Sequence, residues 1–215
     1  MAGIKIGKIT LGLCMTNCYF VYKPDVKDED GKIPVIFIDP ADQGGYLYEK
    51  LDENGFKVEA IFFTHGHFDH IMGSKEMRNK SGAKIYAPKA DKVLLDDAYV
   101  NVSAQWAKGY TVDADEYFED GAEYEIADMK FKVISTPGHT IGSCCFYFED
   151  DKILVSGDTL FDGSVGRTDL PTGSMSKLVH SVREKLFVLP DDVKVYPGHG
   201  AATDIGTEKS SNPCV

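Results

Sequence analysis

The stretch Thr64-His65-Gly66-His67-Phe68-Asp69-His70 brings four side chains that can bind a metal into six residues. These three imidazoles and one carboxylate each offer a nitrogen or oxygen lone pair at neutral pH. Burying them in a folded core without a metal would leave several polar groups to satisfy at once. The spacing therefore predicts a metal site, and it indicates more than one ion.

The geometry of this stretch divides its ligands into two groups. In an extended segment, residues i and i+2 point the same way, so His65 and His67 are expected to reach one ion together. Asp69 and His70 are adjacent and are expected to begin the following helix, which turns them toward another side. One short loop can then serve two neighbouring ions.

Three further motifs place a histidine or an aspartate directly after a predicted strand. Strand ends in a packed sheet form a common rim, and binding sites are often built on such rims. The three motifs are Thr136-Pro137-Gly138-His139-Thr140, Ser156-Gly157-Asp158-Thr159 and Tyr196-Pro197-Gly198-His199-Gly200.

The four motifs together supply seven expected metal ligands. Nitrogen and oxygen ligands without a thiolate favour Zn²⁺, with Fe or Mn as alternatives, so we expect two divalent ions as cofactors. The expected ligands are His65, His67 and His139 on the first ion, Asp69, His70 and His199 on the second, and Asp158 as a bridge between them.

Hydrophobic periodicity predicts alternating strands and helices along the chain. Two halves of this kind indicate two packed sheets with helices outside, with a doubly wound parallel sheet as the alternative. A hairpin signal across Glu149-Asp150-Asp151 favours mixed sheets. The predicted strands cover residues 3–10, 18–23, 34–38, 58–63, 84–87, 123–126, 129–135, 144–148, 152–156 and 193–196, and the predicted helices cover residues 45–55, 74–80, 91–106 and 174–186.

Several side chains on these helices carry specific expectations. Ser74 is expected to cap helix 74–80 and Gly82 to stop it. Tyr99 and Trp106 are expected to pack into the core from one face of helix 91–106, with a wall of the site as the alternative. His180 lies outside every motif, so a surface or core position is expected for it.

Composition bounds the partners and the compartment. The 215-residue chain has a formal net charge of −11 and no run of Lys and Arg, which argues against a nucleic-acid partner. Its start lacks the pattern of a signal peptide, and no stretch approaches the roughly 18 apolar residues that a membrane helix needs. The five cysteines are odd in number, and the pair Cys144-Cys145 is poorly placed for a disulfide framework. We therefore expect a cytoplasmic protein without a membrane partner.

Cys14 and Cys18 are expected to be ordinary buried thiols. The alternative for Cys14 and Cys18 is half of a zinc site, although no second Cys or His pair lies nearby in the sequence.

The ligand motifs resemble the signature of the metallo-β-lactamase superfamily, HxHxDH followed by downstream His, Asp and His. The likeness runs from Asn17-Cys18-Tyr19 through Asp39 to His199. Within that superfamily the chain is similar to the glyoxalase II-like single-domain hydrolases, both in the stretch from Phe161 to Leu170 and in the tail from Gly198 to Pro213. The resemblance implies an α+β fold, an αββα sandwich of two mixed sheets flanked by helices, with a dinuclear site at one edge.

The domain organisation follows from the same resemblance. Only 16 residues follow His199 in the sequence, so we expect one domain over residues 1–215, without the C-terminal helical domain of glyoxalase II.

The resemblance and the ligand set together predict a hydrolase of small thioesters, such as S-lactoylglutathione or a related acyl-thiol. Two cations that share a hydroxide activate it for attack on a carbonyl. A thiolate, whose conjugate acid has a pKa of about 8.5, leaves without prior protonation. Asp158 is expected to bridge the ions, and the resemblance implies that Asp69 orients the hydroxide. Asp39 is expected either to bond a ligand imidazole or to cap a turn.

Two substitutions separate this chain from other branches of the superfamily. Asp158 stands where the best-known lactamases carry Cys, which argues against β-lactam hydrolysis, and His67 stands where the diiron flavoproteins carry Glu.

Arg167 is the expected contact for a small-molecule substrate. It falls where glyoxalase II carries a Lys that contacts glutathione, and it is suited to bind a carboxylate. The alternative is an ion pair with Asp162 or Asp169. Because the tyrosine expected two positions later is Asp169, specificity for glutathione thioesters is in question. A homodimer is compatible with the sequence.

The alternative function is that of a mononuclear iron persulfide dioxygenase-like oxidoreductase. That branch shares the stretch Gly166-Arg167-Thr168-Asp169, and its ligands would correspond to His65, His139 and Asp158. The Pro-Gly-His-Gly form around His199 favours the hydrolase. A metal-binding protein without turnover is a third, less favoured reading.

Overall fold

Two six-stranded β-sheets pack against each other in the computed structural model, which describes residues 3–215. The first sheet has the order β1 (Lys5–Leu11), β2 (Thr16–Tyr22), β3 (Ile33–Ile38), β4 (Phe56–Phe62), β5 (Lys84–Pro88) and β6 (Glu116–Phe118). The second sheet contains β7 (Glu123–Ile126), β8 (Met129–Ser135), β9 (Cys144–Phe148), β10 (Ile153–Gly157), β13 (Lys194–Pro197) and β14 (Thr203–Asp204), in the order β14-β13-β10-β9-β8-β7. A small hairpin joins β11 (Leu160–Phe161) to β12 (Ser164–Val165).

Helices flank the two sheets. Short 3₁₀ turns cover Lys89–Asp91 and Glu149–Asp151, and a π-helical turn over Val182–Leu186 continues the sixth helix. No helix in the described part of the chain is long and apolar enough to cross a lipid bilayer. The α-helices are α1 (Gly44–Glu53), α2 (Phe68–Ile71), α3 (Ser74–Ser81), α4 (Lys92–Asp96), α5 (Ser103–Trp106), α6 (Met175–Ser181) and α7 (Ile205–Ser211).

Both sheets are mixed, which confirms the αββα sandwich over the doubly wound alternative. In the first sheet, β3 pairs in parallel with β4, β4 with β5 and β5 with β6, while β1, β2 and β3 pair antiparallel. In the second sheet, the pair β10–β13 is parallel and the other pairs are antiparallel.

The alternating pattern of each strand explains the layers. On β8, Met129, Phe131 and Val133 point into the core between the sheets, and the intervening lysines are exposed. Strand β3 is apolar on both faces because its outer face is covered by helices α1 and α3. Phe62 and Phe146 meet edge to face between the sheets, with ring centroids 5.5 Å apart.

Four strand ends meet at one edge of the sandwich. Strands β4, β8, β10 and β13 each lead into one ligand motif, and Gly157 on β10 pairs with Pro197 on β13. The backbone N–H of Cys144 donates to the carbonyl of Thr64 at 3.0 Å, which joins the two sheets at this edge. The rim expected from the sequence is therefore present.

The single helix predicted over residues 91–106 is wrong. Helix α4 ends at Asp96, Asp97 is extended, Val102 has a left-handed φ of 61°, and α5 begins at Ser103. Asn101 and Ser103 cause the break, because their side chains bond nearby backbone groups that a continuous helix would use.

Three smaller expectations also change. Tyr99 and Trp106 are 74% and 62% exposed, so the prediction that they pack in the core is wrong. Ser74 does not cap α3, since its hydroxyl contacts the Tyr110 hydroxyl at 3.1 Å. Gly82 does end that helix, with a φ of 73°. Strand β6, helix α7 and the short strands β11, β12 and β14 were not predicted, being two to seven residues long with weak patterns.

Candidate metal centre

Three imidazoles from two separate loops converge at the rim, and we call them the first trio: His65, His67 and His139. Nε2 of His139 lies 3.2 Å from Nε2 of His65 and 2.8 Å from Nδ1 of His67. All three side chains are buried, and their converging atoms lie within 4.8 Å of one another. The group can hold a metal ion in the manner expected from the sequence.

The second trio comprises Asp69, His70 and His199, and it lies beside the first. Oδ2 of Asp69 is 3.7 Å from Nε2 of His70 and 3.4 Å from Nε2 of His199. These ligand atoms also fall within 4.8 Å of one another. Helix α2 begins at Phe68, so it turns Asp69 and His70 away from the side that His67 faces.

Asp158 stands between the two trios. One of its oxygens, Oδ2, is 3.5 Å from Nε2 of His139 and 3.3 Å from Nε2 of His199, while Oδ1 is 3.4 Å from Nε2 of His70. A single carboxylate thus contacts ligand atoms of both trios. Its role as a bridge between two ions stays a prediction.

Hydrogen bonds at the far side of three rings set the direction of their lone pairs. His139 Nδ1 donates to the Arg167 carbonyl at 2.7 Å, and His70 Nδ1 donates to Oδ2 of Asp39 at 2.8 Å. The Thr64 hydroxyl donates to Asp39, so it accepts from Nδ1 of His65 at 3.1 Å. When these rings are neutral, each therefore turns an unprotonated Nε2 toward the cluster, as metal-binding imidazoles do.

Unsatisfied atoms in the cluster test whether the residues fit a metal. In the part of the chain that the structure describes, four buried side-chain nitrogen or oxygen atoms lack a hydrogen-bond partner, and three of them belong to His67, His70 and Asp158. Unpaired buried polar atoms are costly and rare in folded proteins. His70 Nε2 and Asp158 Oδ1 are two of these atoms, and they lie 3.4 Å apart. The donor set fits divalent cations.

The two trios differ in electrostatics. Burial, reinforced by neighbouring imidazoles, lowers the pKa of His65 well below its usual value and lowers that of His67 to about 3. Burial also lowers the pKa of His139, with Asp158 opposing. The first trio is therefore neutral at pH 7.

Carboxylates reverse this effect in the second trio. Burial disfavours the charged form of His70, but Asp158, Asp69 and Asp39 outweigh it and raise its pKa well above the usual value. In the same way, contacts with Asp158 and Asp69 overcome burial and raise the pKa of His199 to about 9. The pKa of Asp69 falls to about 2 and that of Asp158 falls well below its usual value, because the imidazoles outweigh burial.

Asp91 is a supporting residue that sequence reasoning missed. Its carboxylate is fully buried and accepts from the backbone N–H groups of Gly66 and Gly142 at 2.8 and 2.6 Å and from the Thr140 hydroxyl at 2.8 Å. These bonds tie the loop of His65 and His67 to the loop of His139. Its partners lie 25 to 51 residues away, so no local motif marks it.

Three other buried side chains support the second trio. The Thr16 hydroxyl donates to Oδ2 of Asp69 at 2.9 Å. Asn17 Nδ2 donates to the carbonyls of Pro197 and Gly200, which brackets His199. Asp39 bonds His70 directly, so the imidazole-bonding alternative stated for it is the one observed.

The centre opens into a cavity of about 710 Å³. Its lining includes Asp69, His139, Asp158 and His199, together with Cys14, Arg167 and a group of apolar side chains. Arg167 donates from Nε and Nη2 to the two carboxylate oxygens of Asp169, both at 2.7 Å, so the ion-pair alternative is observed along with the position beside the cavity.

The remaining candidates lie outside the centre. All five cysteines are free. Cys18 is buried as expected, whereas Cys14 is exposed, against the prediction; Cys144 and Cys145 are buried and Cys214 is exposed. The groups in the described chain that can hold a metal contain only histidine and aspartate, so a Cys14–Cys18 zinc half-site is not formed. His180 is exposed on α6.

Comparison with known proteins agrees with this geometry. Residues 11–199 match the family described as the metallo-beta-lactamase superfamily. The chain belongs to the metallo-beta-lactamase superfamily. The Bacillus subtilis (strain 168) protein named probable metallo-hydrolase YqgX is 35% identical over 213 residues, which cover 98% of this chain and 97% of that protein. The Haemophilus influenzae protein named hydroxyacylglutathione hydrolase GloC is 34% identical over 202 residues, 92% of this chain and 91% of its own length.

Solved structures of the superfamily share the fold closely. BLEG-1 B3 metallo-beta-lactamase superposes with a TM-score of 0.89 at 32% identity, covering 97% of this chain and 98% of that one. TTHA1623 in a di-iron-bound form has a TM-score of 0.82 at 30% identity, covering 97% and 100%. ETHE1 from Myxococcus xanthus has a TM-score of 0.76 at 28% identity, covering 97% and 83%. The superfamily membership expected from the ligand motifs is confirmed, and it supports a metal-dependent hydrolase.

Proposed function

We propose that this chain is a hydrolase of small thioesters that uses two divalent metal ions, with zinc as the native metal and iron or manganese as alternatives. The observation that carries the proposal is the convergence of seven ligand side chains in which His70 Nε2 and Asp158 Oδ1 are buried without partners. The first trio would hold one ion, the second trio the other, and Asp158 would contact both. The relative named hydroxyacylglutathione hydrolase supports the thioester class.

The chain's own residues have defined tasks in this proposal. When bound, divalent ions polarise a carbonyl and lower the pKa of water from its bulk value toward about 7. The Thr16 hydroxyl fixes Oδ2 of Asp69, whose side chain lines the cavity and remains ionised because of its lowered pKa. Asp69 would accept a hydrogen bond from the attacking water and orient it toward the substrate carbonyl.

The leaving group distinguishes thioesters from amides. Hydrolysis forms a C–O bond to the carbonyl carbon and breaks the C–S bond, whose electron pair leaves with the thiolate. Besides the candidate ligands, the ionisable side chains lining the cavity are Cys14 and Arg167. Although Cys14 is exposed as a residue, partial desolvation of its thiol and the charge of Asp69 raise its pKa to about 11, and Arg167 is paired with Asp169. Neither is matched to protonating an amine, whereas a thiolate needs no such donor.

A persulfide dioxygenase is the second candidate, and the likeness to ETHE1 favours it. The three residues that would hold a single iron lie together, since His139 Nε2 is 3.2 Å from His65 Nε2 and 3.5 Å from Asp158 Oδ2. The complete second trio beside them favours the hydrolase, because a mononuclear centre leaves its ligand atoms without a metal.

Metal analysis and turnover on the same preparation test the proposal. Protein purified without added metal should contain about two zinc ions per chain and hydrolyse S-lactoylglutathione or an acyl-N-acetylcysteamine thioester. One iron per chain with oxygen uptake on glutathione persulfide would move the assignment to the dioxygenase. Because BLEG-1 is named a lactamase, a β-lactam is the third substrate, and turnover of it without thioester hydrolysis would overturn the proposal.

A further inference from the structure

The lining of the cavity includes seven apolar side chains, of which we call six the apolar wall: Leu13, Phe68, Val102, Trp106, Val165 and Leu170; the seventh, Phe161, lies against His199. Leu13 and Trp106 are 70% and 62% exposed, which is unusual for side chains of this size. Leu13 and Trp106 line the same cavity as Asp69 and His139 of the metal centre. A concave apolar surface beside converging polar groups is the usual form of a small-molecule site.

The segment that carries Trp106 is held in place by buried polar bonds. Asn101 Nδ2 donates to the carbonyls of Leu94 and Tyr110, and the Asn101 carbonyl accepts from the Phe68 N–H at 3.2 Å. Ser103 Oγ accepts from the N–H of Tyr110 at 2.7 Å. Asn101 and Ser103 are both fully buried. This network fixes the start of α5 against the loop that supplies the metal ligands.

Val102 shows that the position of this segment is imposed against local preference. Its φ of 61° lies in the left-handed region, which a β-branched residue rarely adopts. Such backbone strain persists only where the surroundings over-determine it, and it concentrates at functional sites. Here it directs α5 so that Val102, Gln105 and Trp106 border the cavity.

Charge in the cavity does not suit glutathione. A glutathione arm carries two carboxylates, and the one Lys or Arg side chain among the described lining residues is Arg167, already bound through Nε and Nη2 to Asp169. An uncharged arm needs no cationic partner and gains from burying apolar surface.

We propose, resting on the thioester hydrolase function above, that the preferred substrate is a thioester with an uncharged apolar arm that packs against the apolar wall, and not a glutathione thioester. The wall then determines specificity, while the seven ligand residues determine the chemistry. In this proposal the substrate arm covers the apolar wall. The competing possibility is that a second copy of the chain covers it.

The sole tryptophan of the sequence, Trp106, provides a readout of binding that does not depend on turnover. Metal-loaded protein is titrated with three stable thioethers: S-hexyl-N-acetylcysteamine, S-methyl-N-acetylcysteamine and S-hexylglutathione. We expect S-hexyl-N-acetylcysteamine to shift Trp106 emission to the blue. It should bind at least about tenfold more tightly than S-methyl-N-acetylcysteamine, the effect of burying about two methylene groups. It should also bind more tightly than S-hexylglutathione, which carries added charge. Equal or tighter binding of S-hexylglutathione would overturn the proposal.

Trp106→Ala with Tyr99→Ala as its control tests the wall in catalysis. Tyr99 is a similarly large, exposed aromatic residue seven positions earlier, but it is not among the residues that line the cavity. The ratio of kcat/KM for hexanoyl over acetyl N-acetylcysteamine should fall about tenfold in Trp106→Ala, recover in Trp106→Phe and stay unchanged in Tyr99→Ala. An unchanged ratio in Trp106→Ala would refute the wall and leave the hydrolase intact.

Two other outcomes separate this inference from the proposed function. If no thioester is hydrolysed but the thioethers keep their predicted ranking, the hydrolase proposal fails and the apolar wall stands as a binding surface. If Trp106 emission shifts with protein concentration but does not change when the thioethers are added, a second copy covers the wall and the inference is wrong.

Discussion

The two trios of the metal centre share one rim and one bridging carboxylate, yet they hold their protons in opposite ways. Burial keeps the first trio neutral, whereas carboxylates around the second keep His70 and His199 protonated at pH 7 before metal binds. The difference follows from what lies behind each ring. A backbone carbonyl orients His139, while the Asp39 carboxylate both orients His70 and stabilises its charged form.

Because of this difference in protonation, similar ligand atoms differ in the free energy needed to prepare them for binding a cation. The first trio offers three lone pairs immediately, and the second must release protons before its nitrogens can bind. The remote supports differ as well, since Asp91 joins two ligand loops through their backbones and Asp39 contacts a ligand ring.

Asp158→Ala should affect both trios and is expected to cause the largest loss of metal binding and activity. Because Asp158 lies within 3.5 Å of ligand atoms in both trios, its loss should weaken both ions and lower kcat/KM by about a thousandfold or more. Metal content by mass spectrometry and thioester hydrolysis should fall together. Asp158→Asn, which keeps the shape of the side chain, checks that the fold survives, and Asp162→Ala on the neighbouring exposed turn is the matched control. Full turnover in Asp158→Ala would refute the bridging role.

The pH dependence of metal binding is the next largest expected effect, and it should differ between the two trios. The raised pKa of His70 and the pKa of His199 near 9 mean that binding at the second trio releases about two protons at pH 7, so the apparent affinity should rise about a hundredfold per pH unit. The lowered pKa values of the first trio predict almost no proton release there.

Calorimetric zinc titration of metal-free protein in buffers of different ionisation enthalpy measures these protons directly. Two steps with equal proton release would contradict the assignment of opposite protonation to the two trios.

The candidate ligands are predictable from the sequence because each lies in a short motif directly after a strand. The motif around His65 depends only on alternation and adjacency, which are local properties. The residues that hold the ligand loops in place depend on the fold. The Asp91 carboxylate accepts a hydrogen bond from the N–H of Gly142, 51 residues away, and no local sequence motif identifies it. The apolar spacing from Leu94 to Trp106 predicted a helix, but the side-chain bonds of Asn101 and Ser103 override that pattern.

Asp91→Asn and Asp39→Asn should separate the two trios, with intermediate effects. Asp91 accepts hydrogen bonds from the backbone N–H groups of Gly66 and Gly142, one on each carboxylate oxygen. In Asp91→Asn, the side-chain NH₂ group would face one of these donors. The link between the loops of His65 and His139 should therefore loosen. Asn at position 39 would favour the wrong tautomer of His70. Each loss of such a support should weaken the nearer ion by about 10- to 100-fold.

Stepwise chelator competition assigns these losses to individual ions. Asp91→Asn should chiefly weaken the ion of the first trio and Asp39→Asn that of the second. The reverse pattern, or equal losses at both ions, would show that the supports act on the whole rim instead of on separate trios.

His180→Ala should have the smallest effect and thereby calibrates the other histidine variants. His180 is the one histidine outside the two trios, and it is exposed on α6, whose buried residues are Leu178 and Ser181. Replacing an exposed side chain without buried partners should change the free energy of unfolding by no more than about 0.5 kcal/mol and leave metal content unchanged. His199→Ala is the matched comparison, because it also removes one imidazole but takes it from a trio. Loss of metal in His180→Ala would mean that a third binding position exists and that the division into two trios is incomplete.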